Sequence, residues 1–230
     1  MTEPTPYVRR DTLVTAESLG PLVPRRGTAF SQRIGLLWLR LIGWRITGTP
    51  PMVAKAIFIG APHTSNRDGF VAVATALAIR LRINVMAKAE LFNSPLGPLF
   101  RWMGVMPVYR RGSRGGQVEQ VVARFAAEES VYIGIAPEGT RHASPAWKTG
   151  FYHMAVKAGV PIVPFILDFG RKELHMLPAF YPTGDLDADL PRLMAPYHGI
   201  IPADPSRLSL PLREPLATHA EEPPREPPAL

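Results

Sequence analysis

Short apolar runs alternate with amphipathic stretches along most of this chain. Runs at 53–60, 84–88, 105–109, 131–136 and 161–167 are rich in Val, Ile, Ala and Phe, which predicts buried strands. The stretches 69–82, 117–129 and 149–158 carry apolar residues at helical spacing. In the second of these, Val118, Val121, Val122 and Phe125 share one face, and Gly159 closes the third as a C′ residue would. Residues 91–103 predict a proline turn followed by a short helix, 174–177 an edge strand, and 186–196 a short amphipathic helix. Strands alternating with helices predict an α/β fold: a single domain with a mixed, largely parallel sheet flanked by helices.

Residues 31–46 precede that alternation and predict an amphipathic N-terminal helix. Arg33 and Arg40 fall on one side, with Trp38, Leu39, Ile42 and Ile46 on the other. Sixteen residues make roughly 24 Å of helix, short for a bilayer core. Two placements fit the pattern: at a membrane interface, or docked by its apolar face on the domain. Residues 1–28 are polar and Pro-containing and read as a flexible segment. The domain is expected over 29–200, with 201–230 as a Pro-rich, disordered tail. The chain has no run of about 18 uncharged apolar residues, so no transmembrane helix is expected, nor does its start read as a secretory signal.

Charge narrows the partners. The 230 residues carry a net charge of +7, yet the stretch from Glu214 onward holds four acids and one Arg, which leaves +10 on residues 1–213. A basic body fits a phospholipid surface, a phosphorylated substrate, the phosphates of coenzyme A or nucleic acid. No stacking aromatics interleave with the basic residues, so nucleic acid is not an expected partner. The chain has no Cys, which excludes thiol catalysis, disulfides and thiolate metal sites. Nucleophile elbows, Walker loops, dinucleotide loops and paired-His zinc motifs are also missing. No metal or resident cofactor is expected.

Three polar loops follow apolar runs. The first, His63-Thr64-Ser65-Asn66-Arg67-Asp68, puts a His and an Asp five residues apart, just after the 53–60 run. Asp68 can curl back to the imidazole, fix its tautomer and leave the other nitrogen as a general base. It can equally cap the next helix, with His63 bonded in the turn. The second loop supplies Arg110 and Arg111, whose forked donors suit phosphate. The third, Pro137-Glu138-Gly139-Thr140-Arg141, supplies a carboxylate, a hydroxyl and a guanidinium around a glycine that allows close backbone approach. Salt-bridged turns and solvated arginines would look the same residue by residue. Gly112–Gly116 reads as a flexible basic loop. His153 and His175 read as structural, and His142 can line the site. Trp147 and Lys148 fit either a contact with lipid or cofactor, or a surface loop.

Taken in order, the blocks at 63–68, 104–110, 137–141 and 160–164 resemble the glycerolipid acyltransferases, whose best-known members act on lysophosphatidate and glycerol 3-phosphate. The resemblance covers roughly residues 31–200, with the first and third blocks the specific ones. It implies His63 as general base, Asp68 as its orienting partner, and direct attack on a thioester without an acyl-enzyme. It implies Arg110 at the acceptor phosphate, with Lys88 as a second candidate. Glu138, Gly139, Thr140 and Arg141 would shape the acceptor site, and Pro161 and Pro164 the acyl pocket. The implied reaction moves a fatty acyl group from acyl-coenzyme A or acyl-carrier protein, as co-substrate, to a lysophospholipid hydroxyl. The implied setting is the cytoplasmic face of an anionic membrane, as a peripheral protein. The same chemistry on another lysolipid or a lipid alcohol, or a non-catalytic lipid-binding module, are the alternatives. Departures from the family pattern are Pro62 before the His, Arg67 before the Asp and Tyr109 before Arg110.

Overall fold

A computed structural model of the chain describes residues 12–88, 92–93, 97, 105–108 and 114–213. The strands are β1 (Arg45–Gly48), β2 (Lys55–Ala61), β3 (Asn84–Lys88), β4 (Met106–Val108), β5 (Val131–Ile135), β6 (Ile162–Asp168) and β7 (Glu173–Met176). They form one seven-stranded sheet in the order β1-β7-β6-β2-β5-β3-β4. The five strands from β6 to β4 run parallel, while β7 is antiparallel to β6 and β1 runs parallel to β7. The sheet is therefore mixed and largely parallel, as the alternation predicts. The helices are α1 (Ala29–Ile42), α2 (Asn66–Ala78), α3 (Arg114–Ala127), α4 (Gly150–Ala158), α5 (Leu186–Met194) and α6 (Leu210–Arg213). Of the stretch 91–103, where a turn and short helix are expected, all but 92–93 and 97 lies outside the described residues, and so does the tail from 214.

Strand β2 sits at the centre and is buried on both faces, the pattern of a parallel strand covered by helices. Its side chains sort with a period of two. Ile57, Ile59 and Ala61 pack with Val121 and Phe125 of α3 and Phe151, Tyr152 and Ala155 of α4. Ala56 and Phe58 pack on the other side with Val71, Ala74 and Ala78 of α2. Phe58 lies 4.6 Å from the Tyr132 ring. Burying a ring of that size contributes about 1.5–3 kcal/mol.

Four expected boundaries are corrected. The helix predicted over 31–46 stops at Ile42, where the Trp44 N–H donates to Leu39 O at 2.8 Å. Arg45 and Ile46 then belong to β1, because β7 offers an open edge that the local helical pattern does not reveal. Residues 12–28 are not a flexible segment. The Val14 N–H donates to Ile46 O, the Gly48 N–H to Thr12 O, and Val14, Leu19 and Val23 are buried. The Arg25 guanidinium holds this segment together by donating to the carbonyls of Ala16 and Leu19. Residues 201–213, expected in the tail, also belong to the domain: the Phe169 N–H donates to Ile201 O, and Ser209 and Leu212 are buried. Arg114 to Gly116, expected in a loop, start α3 instead, drawn into the helix that docks through Val121 and Phe125.

Helix α1 docks on α2 through Gly35 and Leu39. A Cβ at Gly35 would stand 2.5 Å from the Ala78 backbone nitrogen, so only glycine lets the two helices approach this closely. Trp38 faces outward and stacks on Phe70 of α2 at 6.2 Å. His175 is fully buried in β7 beside Glu173, with its Nδ1 2.8 Å from the Thr47 hydroxyl. That is the structural role expected of it.

Candidate active site

The first polar loop begins where β2 ends, after a cis Ala61–Pro62 bond. Ser65 caps α2, its hydroxyl accepting the Arg67 N–H at 3.0 Å. Asp68, at the third position of that helix, turns back over the loop. Its Oδ2 accepts the N–H of Thr64 at 2.7 Å and of Ser65 at 2.8 Å. The same oxygen lies 3.2 Å from His63 Nδ1. The two readings of the spacing therefore hold together: one carboxylate caps the helix and orients the imidazole. Asp68 is 1% exposed, whereas the His63 side chain is 28% exposed and reaches solvent.

Asp68 thus faces the Nδ1 side of the imidazole and leaves Nε2 without a partner among the described residues. Such an arrangement can serve a general base, because a backbone-held carboxylate beside one ring nitrogen orients the ring and leaves the other nitrogen open. Arg67 does not join the pair; its guanidinium lies 4.9 Å over the Phe169 ring.

The second carboxylate at the site is Glu138, on the loop after β5, the strand beside β2. It is 1% exposed. Its Oε2 accepts the His63 backbone N–H at 2.6 Å, and its Oε1 accepts the Ser209 hydroxyl at 3.0 Å. Glu138 thus supports the His63 loop from inside the domain rather than facing an open acceptor site. Burial raises its pKa above the usual carboxylate value, against the bonds from His63 and Ser209, which lower it. Tyr197 lies beneath, donating to Ile59 O at 3.3 Å; its own burial, then Glu138, push its pKa well up.

Gly139 has φ +63°, the left-handed conformation, and the Lys148 side chain lies across it. Any Cβ there would meet Lys148 Cδ, Cε and Nζ within 2.8 Å. Thr140 is half-buried, its hydroxyl accepting the His142 N–H at 3.3 Å, and Arg141 and His142 are exposed beside it. Trp147 is in the core against Phe151 and Tyr197 rather than at a lipid contact. Lys148 is the cation next to Gly139 that the sequence left unassigned between lipid and loop.

The structure does not gather every expected residue. Pro161 precedes β6 at the opposite end of the sheet from His63, on the rim of a 520 Å³ groove with Lys55 and Lys157. Pro164 is buried mid-strand, in register with Ile59. Lys88 ends β3, with its side chain outside the described residues, as is all of Arg110. Ser209 escaped sequence reading altogether; the one hint is the apolar run Leu208-Ser209-Leu210-Pro211-Leu212 inside a stretch otherwise rich in proline.

A family model described as Acyltransferase matches residues 45–168, a span from β1 to the end of β6. The chain belongs to the acyltransferase family. Among its relatives, the 1-acyl-sn-glycerol-3-phosphate acyltransferase of Escherichia coli K12 is 30% identical over 165 residues, covering 68% of this chain and 65% of the relative. The enzymes of that name from Haemophilus influenzae and Borreliella burgdorferi are 26% and 31% identical, covering 57% of this chain and 55% and 53% of theirs. The matches thus span between about half and two thirds of these relatives' length. The crystal structure of the 1-acyl-sn-glycerophosphate acyltransferase PlsC from Thermotoga maritima aligns with a TM-score of 0.48 at 16% identity, covering 68% of this chain and 69% of that one. The His63 and Glu138 loops of this acyltransferase domain both fall inside the matched span.

Proposed function

We propose that the chain transfers a fatty acyl group from an acyl thioester to the hydroxyl of a lysophospholipid, with lysophosphatidate as the first acceptor to test. The observation that carries this reading is the 3.2 Å contact of His63 Nδ1 with a buried, backbone-held Asp68, which leaves Nε2 as a base. His63 Nε2 takes the hydroxyl proton, and the oxygen attacks the thioester carbonyl. The C–O bond forms and the C–S bond breaks. The thiolate that leaves takes the proton from the imidazolium. No acyl-enzyme is needed, in keeping with a chain that has no Cys. Acyl-coenzyme A or acyl-carrier protein is the donor. The names of the relatives favour lysophosphatidate, and the cations Arg141 and Lys148 flanking Gly139, with Arg110 and Lys88 as family-implied additions, suit its phosphate.

The setting we infer is a membrane surface, with the protein peripheral on its cytoplasmic face. Only Gly35 and Leu39 of α1 are buried. Phe30, Ile34, Leu36, Leu37, Trp38 and Leu41 are exposed, and Phe70 and Val73 of α2 extend the patch. An apolar surface of this kind marks an interaction site. Exposed Arg33, Arg40 and Arg67 lie around it, as anionic headgroups require. Among the described residues no helix is long and apolar enough to cross a membrane.

The test is thiol release from an acyl-coenzyme A, with anionic liposomes and a panel of lysolipids. Release should need an acceptor and should fall by about 10²–10⁴-fold in His63→Ala with the fold intact. Release without an acceptor would make the protein a thioesterase, and full activity in His63→Ala would remove the base.

A further inference from the structure

The segment after α5 is not part of the matched family span, yet it reaches both catalytic loops. It leaves the sheet at Ile201, which accepts the Phe169 N–H, and crosses the end of β2. There the Asp204 backbone N–H donates to the Thr64 hydroxyl at 3.1 Å. Five residues on, the Ser209 hydroxyl donates to Glu138 Oε1 at 3.0 Å. The next residue, Leu210, donates its N–H to Ser144 O, which pins the segment to the loop that follows Gly139. Leu212 then anchors it in the core. Thr64 and Ser209 have no exposed area, and Glu138 almost none, so these bonds are shielded from water.

The second oxygen of Glu138 holds the backbone N–H of His63. The strap is therefore bonded to two consecutive residues of the catalytic loop: to Thr64 directly, and to His63 through Glu138. We propose that Ser209 is a positioning residue for the acyl transfer, setting the height of His63 over β2 through Glu138. The proposal rests on the reading of His63 as the base. A buried carboxylate that loses one of two partners rotates toward the donor that is left or takes up a proton, and either change alters its hold on the His63 amide. A displacement of that kind acts on the chemical step, because a base misplaced by about 1 Å can cost roughly 10²-fold. Ser209 touches neither substrate, so substrate affinities should hardly move.

The experiment compares the full chain with Ser209→Ala, Thr64→Val and His63→Ala, using lysophosphatidate and an acyl-coenzyme A at saturation. Ser209→Ala should lower kcat by about 10–100-fold, with KM for both substrates changed less than about threefold. In the same variant the His63 backbone amide proton, held at 2.6 Å by a carboxylate, should shift in the NMR spectrum while amides of α4 stay in place. A variant that is only less stable would move neither. Thr64→Val removes the other strap bond, and it decides the matter if Ser209→Ala does not fold: its kcat should fall with KM held. Folded Ser209→Ala with unchanged kcat, or Thr64→Val with unchanged kcat where Ser209→Ala is unfolded, overturns the proposal while His63→Ala is still inactive. Full activity in His63→Ala overturns the base itself, and the positioning role with it.

Discussion

Asp68 serves two ends with one oxygen. As the capping-box partner of Ser65 it accepts the Ser65 N–H at the start of α2, and it sets one face of the His63 ring against its carboxylate. The pair was legible because both duties are local: a spacing of five residues and a helix start are enough to specify them. Glu138 was legible as a site residue but not in its role, since its partners lie 75 and 71 residues away. Its raised pKa gives a prediction with a definite sign. The folded state holds the proton more tightly than the unfolded chain, so ionising Glu138 costs stability. That cost is absent below the ordinary carboxylate value of 4.5 and complete above the folded value. Glu138→Gln can accept the His63 N–H and donate to the Ser209 hydroxyl. Its melting temperature should match the parent near pH 4 and exceed it by a growing margin as the pH rises from 4 to 8. A difference that stays the same across that range would show that Glu138 is not buried as a charge.

At the scale of elements, the strands were read well, and the N-terminal helix was read with two placements open for its apolar side. The residues 31–46 were expected to show an apolar side to the domain or a membrane. In the fold the docking stripe is narrow, only Gly35 and Leu39, and the broad apolar side points outward. A glycine in the contact stripe carries no hydrophobic signal, which is why periodicity alone does not choose between the two placements. The helix-to-strand switch at Gly43 was illegible for another reason: β1 exists only because β7, more than 120 residues later, pairs with it. The outward face predicts a separable defect. Replacing Leu37 and Leu41 with Glu should weaken binding to anionic liposomes by at least about tenfold, since each fully buried Leu is worth about 1.5–3 kcal/mol. Turnover of a short-chain, water-soluble acceptor should stay within about twofold of the parent. Equal loss on both substrates would tie the helix to the catalytic step instead.

Over the whole molecule, the mixed, largely parallel sheet and the helices that cover it follow from patterns visible in the chain, whereas the strand order and the segments that close the fold do not. Residues 12–28 and 201–213 have no period. They are fixed by single contacts such as Val14 to Ile46 and Leu212 to the core, and proline-rich composition hides them further. Leu212 gives a scale for the second segment. A chain ending at Ile200 should melt about 3–12 °C below one ending at Arg213, from about 1.5–3 kcal/mol for a buried Leu and roughly 2–4 °C per kcal/mol in a domain of this size. Calorimetry of the two chains would check it, and equal melting points would mean that the strap adds nothing to the fold.

The same strap sets an order of events. Thr64 and Asp204 are separated by 140 residues, so at some 5–20 residues per second the His63 loop waits for roughly 7–28 seconds of synthesis before its bond to the strap can form. A nascent chain that has emerged through β6 holds His63 and the strands β1 to β6, but not yet Asp204 and Ser209, whose bonds tie the strap to Thr64 and Glu138. Competence for acyl transfer would then arrive late and abruptly, when the strap closes. A growing chain that meets a membrane through α1 would not begin chemistry there half-built.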